Sequence, residues 1–136
     1  LKVVKVEKYA WKSMSEEAHR ICFSEVKPVG RERVDFALLV TNDDDFPLGY
    51  TTCKELDSET IYLQFGGCFP GTKDSVLAFK SYVAGIEFLK KDYKNVCFYV
   101  KNDNFAMLKF AMKTGFKIIG VKNRNGDILL EHVNGN

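Results

Sequence analysis

Apolar residues recur along this chain with two periods, and the switches between them mark out its elements. Lysines alternate with apolar residues from Leu1 to Val6, the period-2 pattern of an edge strand. Ser13 and Glu16 have the spacing of a capping box, in which each side chain satisfies the other's backbone donor. Ala18, Ile21, Cys22 and Val26 then share one helical face, ending near Pro28-Val-Gly30. Strands follow at Val34–Val40, Leu48–Lys54 and Thr60–Phe65, separated by turn-forming stretches at Asn42–Asp45 and Glu55–Glu59. A glycine-rich loop, Gly66–Ser75, leads into a helix reaching Lys90, with Val76, Phe79, Val83, Ile86 and Leu89 on one side. Val96–Val100 reads as a strand, after which Asp103 or Asn104 caps a short helix. Phe105, Leu108 and Met112 share a face of that helix, and Gly115 supplies its left-handed end. Phe116–Val121 and Ile128–Val133 make a final hairpin around Asn125-Gly126, two residues that tolerate positive φ.

This order predicts an α/β (α+β) fold, a mixed and mostly antiparallel sheet flanked by helices. The strands Thr60–Phe65 and Val96–Val100 are joined through a helix, so they are expected to run parallel at its centre. A length of 136 residues suits one domain, 1–136, with a sizeable core. No apolar run is long enough to span a bilayer, and no basic-then-apolar leader opens the chain.

Cysteines stand at 22, 53, 68 and 97 with no C-x-x-C pair, and His19 and His132 lie far from them in sequence. A zinc site is not supported; reduced, packed thiols in a cytoplasmic protein are expected. The run Asp43–Asp45 lacks the D-x-D-x-D-G spacing of a calcium loop and reads as a solvated turn. Charge is uneven: nine basic and twelve acidic residues precede position 71, against eleven and six from there on. A basic second half suits a polyanionic ligand, while no arginine-rich or aromatic-interleaved patch supports nucleic acid.

Asn104, followed eleven residues later by Gly115-Phe116, between two strands, resembles the last conserved block of the GNAT superfamily of N-acetyltransferases, roughly N-x-x-A-x-x-x-Y-x-x-x-G-F. Met107 stands at the usual Ala and Ala111 at the usual Tyr, which often serves the family as general acid. The element order is similar to the GNAT fold along nearly the whole chain. The resemblance implies a central parallel pair that splays at its C-terminal ends, and acetyl-coenzyme A as substrate. It also implies a phosphate loop before the second helix, where backbone N–H groups and the helix end hold the pyrophosphate. The family's Q/R-x-x-G-x-G/A falls here near Thr72–Leu77, with Ser75 and Leu77 at the usual small positions. Two readings stand. In one the loop is re-cut, with Gly66, Gly67 and Gly71 giving flexibility and Thr72, Lys73 and Ser75 giving donors. In the other the site has decayed, Leu77 crowding the backbone approach and Asp74 repelling phosphate.

The chemistry implied is direct acyl transfer from a thioester to an amine. It needs a polarised carbonyl, a deprotonated amine and an acid for the leaving thiolate. A backbone N–H within Phe65–Gly67 is the candidate polariser, Asn104 a partner for the pantetheine amides, and Tyr62 or Tyr99 the remaining acid. Glu55 and Glu59 flank the central strands at turns, and Gln64 could orient a water. A single helix before Val34 leaves the acceptor side open, which suits a macromolecular amine. The alternative is a GNAT-fold binding or assembly protein without catalysis.

Overall fold

The structure, a computed structural model, describes residues 1–23, 33–72, 75–122 and 126–133, with backbone alone at His19, Phe23 and Ser75. Its elements are β1 (Lys2–Glu7), α1 (Lys8–Phe23), β2 (Phe36–Thr41), β3 (Pro47–Glu55), β4 (Thr60–Cys68), α2 (Ser75–Lys90), β5 (Asn95–Val100), α3 (Phe105–Lys113), β6 (Lys117–Lys122) and β7 (Asp127–Val133). The strands form one sheet in the order β1-β2-β3-β4-β5-β7-β6. Every neighbouring pair is antiparallel except β4 and β5, which run parallel as the crossover through α2 demands.

Alternation along the strands sends successive side chains to opposite faces of the sheet. On β2, Leu38 joins the cluster under α2 and α3, with Ile61, Leu89, Val96, Phe98 and Leu130. Its neighbour Ala37 joins the opposite cluster, where α1 contributes Trp11, Ala18 and Cys22. Trp11 and Tyr50 set their ring centroids 5.0 Å apart there. The core is thus two layers of apolar packing on one continuous sheet, the larger beneath α2 and α3.

Local chemistry explains several element ends. Asn42 Oδ1 accepts from the N–H groups of Asp44 and Phe46 at 2.9 Å each, an Asx turn that lets Asp45 adopt φ 64°. Asn104 caps α3 by accepting from the Met107 N–H at 3.2 Å. Gly115 follows α3 with φ 90°, in the left-handed region.

Three sequence expectations are corrected. Helix α1 begins at Lys8, so Ser13 lies inside it and donates to the Ala10 carbonyl at 2.8 Å instead of capping a helix start. Strand β4 runs to Cys68, placing Gly66 and Gly67 in the sheet opposite Thr51 and Tyr50. A Cβ on Gly66 would sit 3.1 Å from the Tyr50 carbonyl oxygen, so the close strand approach is what the glycine serves. On α3 the packed face is Met107, Leu108 and Ala111, while Phe105 and Met112 are exposed. The expected helix end at Pro28–Gly30, the solvent-facing reading of His19, and residues Lys73, Asp74 and Asn125 lie outside the described residues and side chains.

Candidate active site

The site begins where β4 and β5 stop pairing. Their parallel register runs from Thr60 opposite Asn95 to Leu63 opposite Phe98 and goes no further, although β4 continues to Cys68 and β5 to Val100. Just past Leu63 the β3–β4 ladder shifts: Cys53 faces Leu63, yet Thr51 faces Gly66. β4 therefore carries one extra residue around Gln64–Phe65, a bulge that bends a strand and raises its twist. The Phe65 N–H, displaced from the ladder, donates to the buried Thr52 Oγ1 at 3.1 Å. Bulge and lost pairing together splay the two strands as the resemblance implied.

A cleft of about 580 Å³ occupies the splay. Its walls are Leu38 and Val40 of β2, Tyr50 and Thr51 of β3, β4 from Leu63 to Cys68, the end of β5 from Phe98 to Val100 with Lys101 just after it, the α2 residues Ala78, Ser81, Tyr82, Gly85, Ile86 and Leu89, and Asn104, Met107 and Phe110 of the α3 region. Lys101 is the one cation in this lining among the described residues, and neither a carboxylate nor a histidine is present in it. The lining is mostly apolar with a few polar side chains, the usual form of a small-molecule pocket.

Of the residues expected from the sequence, Phe65, Gly66, Gly67, Tyr99 and Asn104 line this cleft together. Tyr62 does not; it stands beside it, edge-on to Tyr99 with centroids 5.9 Å apart. Lys122 places its ammonium 4.8 Å from the Tyr99 ring centroid, a cation–π contact. Gly71 and Thr72 lie outside the lining. Gly71 takes φ 91°, and Thr72 is buried with its hydroxyl 2.7 Å from the Leu48 carbonyl and against that of Phe69. The Thr72 N–H donates to Phe69 as well, at 3.1 Å, so both Thr72 donors fasten the loop to β3 and itself. Lys73 lies outside the described residues, and Ser75 opens α2 with its side chain undescribed.

Neither Glu55 nor Glu59 lines the cleft; Glu55 accepts from the Tyr93 hydroxyl at 2.9 Å. Gln64 lines the cleft, donates from Nε2 to the Arg33 carbonyl at 2.8 Å, and keeps a buried Oε1 without a partner among the described residues. Ala111, at the position of the family's tyrosine, is fully buried against the core. Two tyrosines escaped the sequence reading. Tyr82 packs on Phe98 and Phe116, with its hydroxyl 3.2 Å from Thr114 Oγ1; burial pushes its pKa up to about 12. Burial, and then the neighbouring Cys22, raise the pKa of Tyr50. Both stay protonated at neutral pH. Tyr82 shares a helical face with Ile86 and Leu89 at i+4 and i+7, a signal available in the sequence.

The sequence matches no family model and no curated protein. Solved structures match across the chain. An IAA acetyltransferase from Bacillus cereus superposes with a TM-score of 0.72 at 11% identity, over 97% of this chain and 98% of that one. A GNAT family acetyltransferase from Elizabethkingia anophelis, solved with acetyl-CoA bound, gives 0.66 at 12%, over 96% and 97%. The ribosomal-protein-S18-alanine N-acetyltransferase from Escherichia coli gives 0.67 at 9%, over 96% and 90%. At these identities the likeness is one of fold, and the fold is that of the GNAT acetyltransferases.

Proposed function

We propose that this protein is an acyl-coenzyme A-dependent N-acyltransferase, transferring acetyl or a related acyl group to an amine. The observation that carries the reading is the bulged, unpaired end of β4 opening a 580 Å³ cleft against Asn104. The pantetheine arm lies between α2 and α3 and bonds to the Asn104 side-chain amide. Phe65's N–H is committed to Thr52, so the thioester carbonyl is met by the backbone of Gly66–Gly67, where no side chain intervenes. The pyrophosphate sits at the entrance to α2, near Lys73 and Ser75, with Thr72 and Gly71 shaping the loop.

In the reaction the neutral amine attacks the thioester carbonyl carbon. The C–S bond breaks, the amine loses a proton, and coenzyme A leaves as thiol after gaining one. Tyr99, in the cleft lining, is the proton donor, and Tyr62 holds its ring from the side. No described residue of the lining is a strong base at neutral pH, so the amine arrives already deprotonated or loses its proton to water, which the free Oε1 of Gln64 can orient. An acceptor on a protein suits this arrangement, as does the fold it shares with an enzyme named for a ribosomal-protein alanine.

A second reading, a GNAT-fold binding or assembly protein without catalysis, draws on buried Ala111, which leaves the usual hydroxyl absent. Thiol release from acetyl-coenzyme A separates the two when measured with lysine peptides, free-N-terminus peptides and polyamines. Saturable, amine-dependent release supports the enzyme. Binding of coenzyme A with no release from any amine supports the second reading.

A further inference from the structure

The cleft runs deeper than a two-carbon acyl group needs. Past Leu63 and Phe98 its lining reaches Leu38, Ile86 and Leu89, residues 0%, 3% and 2% exposed, so it enters the core beneath α2. The space exists because the middle of α2 offers small residues there, Ser81 and Gly85, one turn apart. Gly85 is buried, yet a Cβ built on it would meet nothing within 4 Å. Interiors are normally close-packed, and a void beside a buried helical glycine loses the dispersion contacts its walls would otherwise make. Glycine inside a helix also costs stability relative to alanine. A second observation points the same way. Ser81 is 6% exposed, lines the cleft, and its hydroxyl has no hydrogen-bond partner among the described residues. A buried, unpaired hydroxyl is unfavourable until something polar meets it.

Resting on the acyltransferase reading, we infer that the void under α2 is an acyl-chain pocket and that the group transferred is a medium-length, apolar acyl chain. Ser81 lies nearer the N-terminal end of α2, from which the pantetheine arm enters, and Gly85 lies one turn deeper. The thioester carbonyl, met by the Gly66–Gly67 backbone, therefore also accepts from Ser81 with its second lone pair, while its tail passes Gly85 toward Leu38 and Leu89. The bonds formed and broken are those of the transfer already described; only the tail differs.

Calorimetric titration of the protein with coenzyme A, acetyl-coenzyme A and hexanoyl-coenzyme A tests this. Each methylene fully removed from water tightens binding about fourfold. With four more methylenes, only partly buried, hexanoyl-coenzyme A is expected to bind at least about tenfold tighter than acetyl-coenzyme A. Gly85→Leu fills the pocket and should bring that ratio close to one, and Gly85→Ala should lower it partway. Both should hold or raise the melting temperature, because the void accepts the added atoms, and Gly85→Ala keeps the test open if the leucine variant misfolds. Equal affinity for the two thioesters, or a ratio unmoved by both variants, overturns the acyl pocket while leaving coenzyme A binding intact. Absence of binding by coenzyme A itself overturns the acyltransferase reading and the pocket with it.

Discussion

Asn104 carries two separable duties, and a pair of substitutions pulls them apart. Its Oδ1 accepts from the Met107 N–H at 3.2 Å, capping α3. That fixes the amide orientation and leaves the Nδ2 donors, which no described residue accepts from, for a ligand in the cleft that Asn104 lines. Asn104→Ala removes both functions. Losing the cap costs about 1 kcal/mol. With an unfolding entropy of about 2.1 cal/mol/K per residue over 136 residues, that lowers the melting temperature by about 3–4 °C. Losing one ligand hydrogen bond, worth about 0.5–1.5 kcal/mol net, weakens coenzyme A by about two- to thirteen-fold. Asn104→Asp keeps an acceptor for Met107 and puts a negative charge at the favourable helix end. It should hold the melting temperature while still weakening coenzyme A, since a carboxylate donates nothing to a pantetheine carbonyl. Thermal melts and calorimetry on both variants read the two effects separately. Wild-type affinity in Asn104→Asp beside a loss in Asn104→Ala would refute the donor role. An unchanged melting temperature in Asn104→Ala would refute the cap.

Other outcomes follow from the same geometry. Thr72→Val removes the hydroxyl that reaches the Leu48 carbonyl; it should cost about 1 kcal/mol in a denaturant melt and weaken coenzyme A by loosening the chain into α2, and a variant unchanged in both would show that the loop is held by other means. With no carboxylate or histidine among the described cleft residues, kcat/KM should rise about tenfold per pH unit up to the acceptor amine's own pKa; a plateau set by a group near pH 6–7, whatever the acceptor, would reveal a general base. Burial, then the nearby Lys90, lower the pKa of His132, whose ring meets Phe116 edge-to-face at 5.4 Å. A histidine that the fold keeps neutral stabilises above its unfolded pKa of about 6.5 and loses that contribution as pH falls through the folded value. Melting temperature should therefore drop more steeply between pH 7.5 and 5 in the wild type than in His132→Phe, and parallel curves would exclude His132 as a source of acid sensitivity.

The parts of this fold readable from sequence were those written in local chemistry. Asn104 and Gly115 bracket α3 because a cap and a left-handed residue have side-chain requirements of their own. The strands β2 to β5 were found, with small boundary shifts, because apolar runs between turn residues have few other solutions. What failed was decided by neighbours distant in sequence. Lys8-Tyr9-Ala10 carries no preferred capping residue type, and α1 is anchored by Trp11 packing on Tyr50 of β3, distant in sequence. Gly66 and Gly67 read as loop by propensity, yet both pair with β3, where a Cβ on Gly66 would press to 3.1 Å from the Tyr50 carbonyl oxygen. On α3, Phe105 and Met112 made the larger apolar stripe, but the small Ala111 is what lets the helix sit down on the core. In the site, Asn104 and the Phe65–Gly67 segment were legible from the resemblance, and Tyr82 from its helical spacing to Ile86 and Leu89, whereas the space at Gly85 was not. An absent side chain opposite a glycine is a fact of packing that no single stretch of sequence records.

Titration of the wild-type protein with coenzyme A by calorimetry addresses the central claim most directly, because catalysis, acyl preference and the role of Asn104 all require that ligand in the β4–β5 splay. One saturable site per chain is expected, weakened by Asn104→Asp without loss of thermal stability. No saturable heat at millimolar coenzyme A from a folded protein would contradict it.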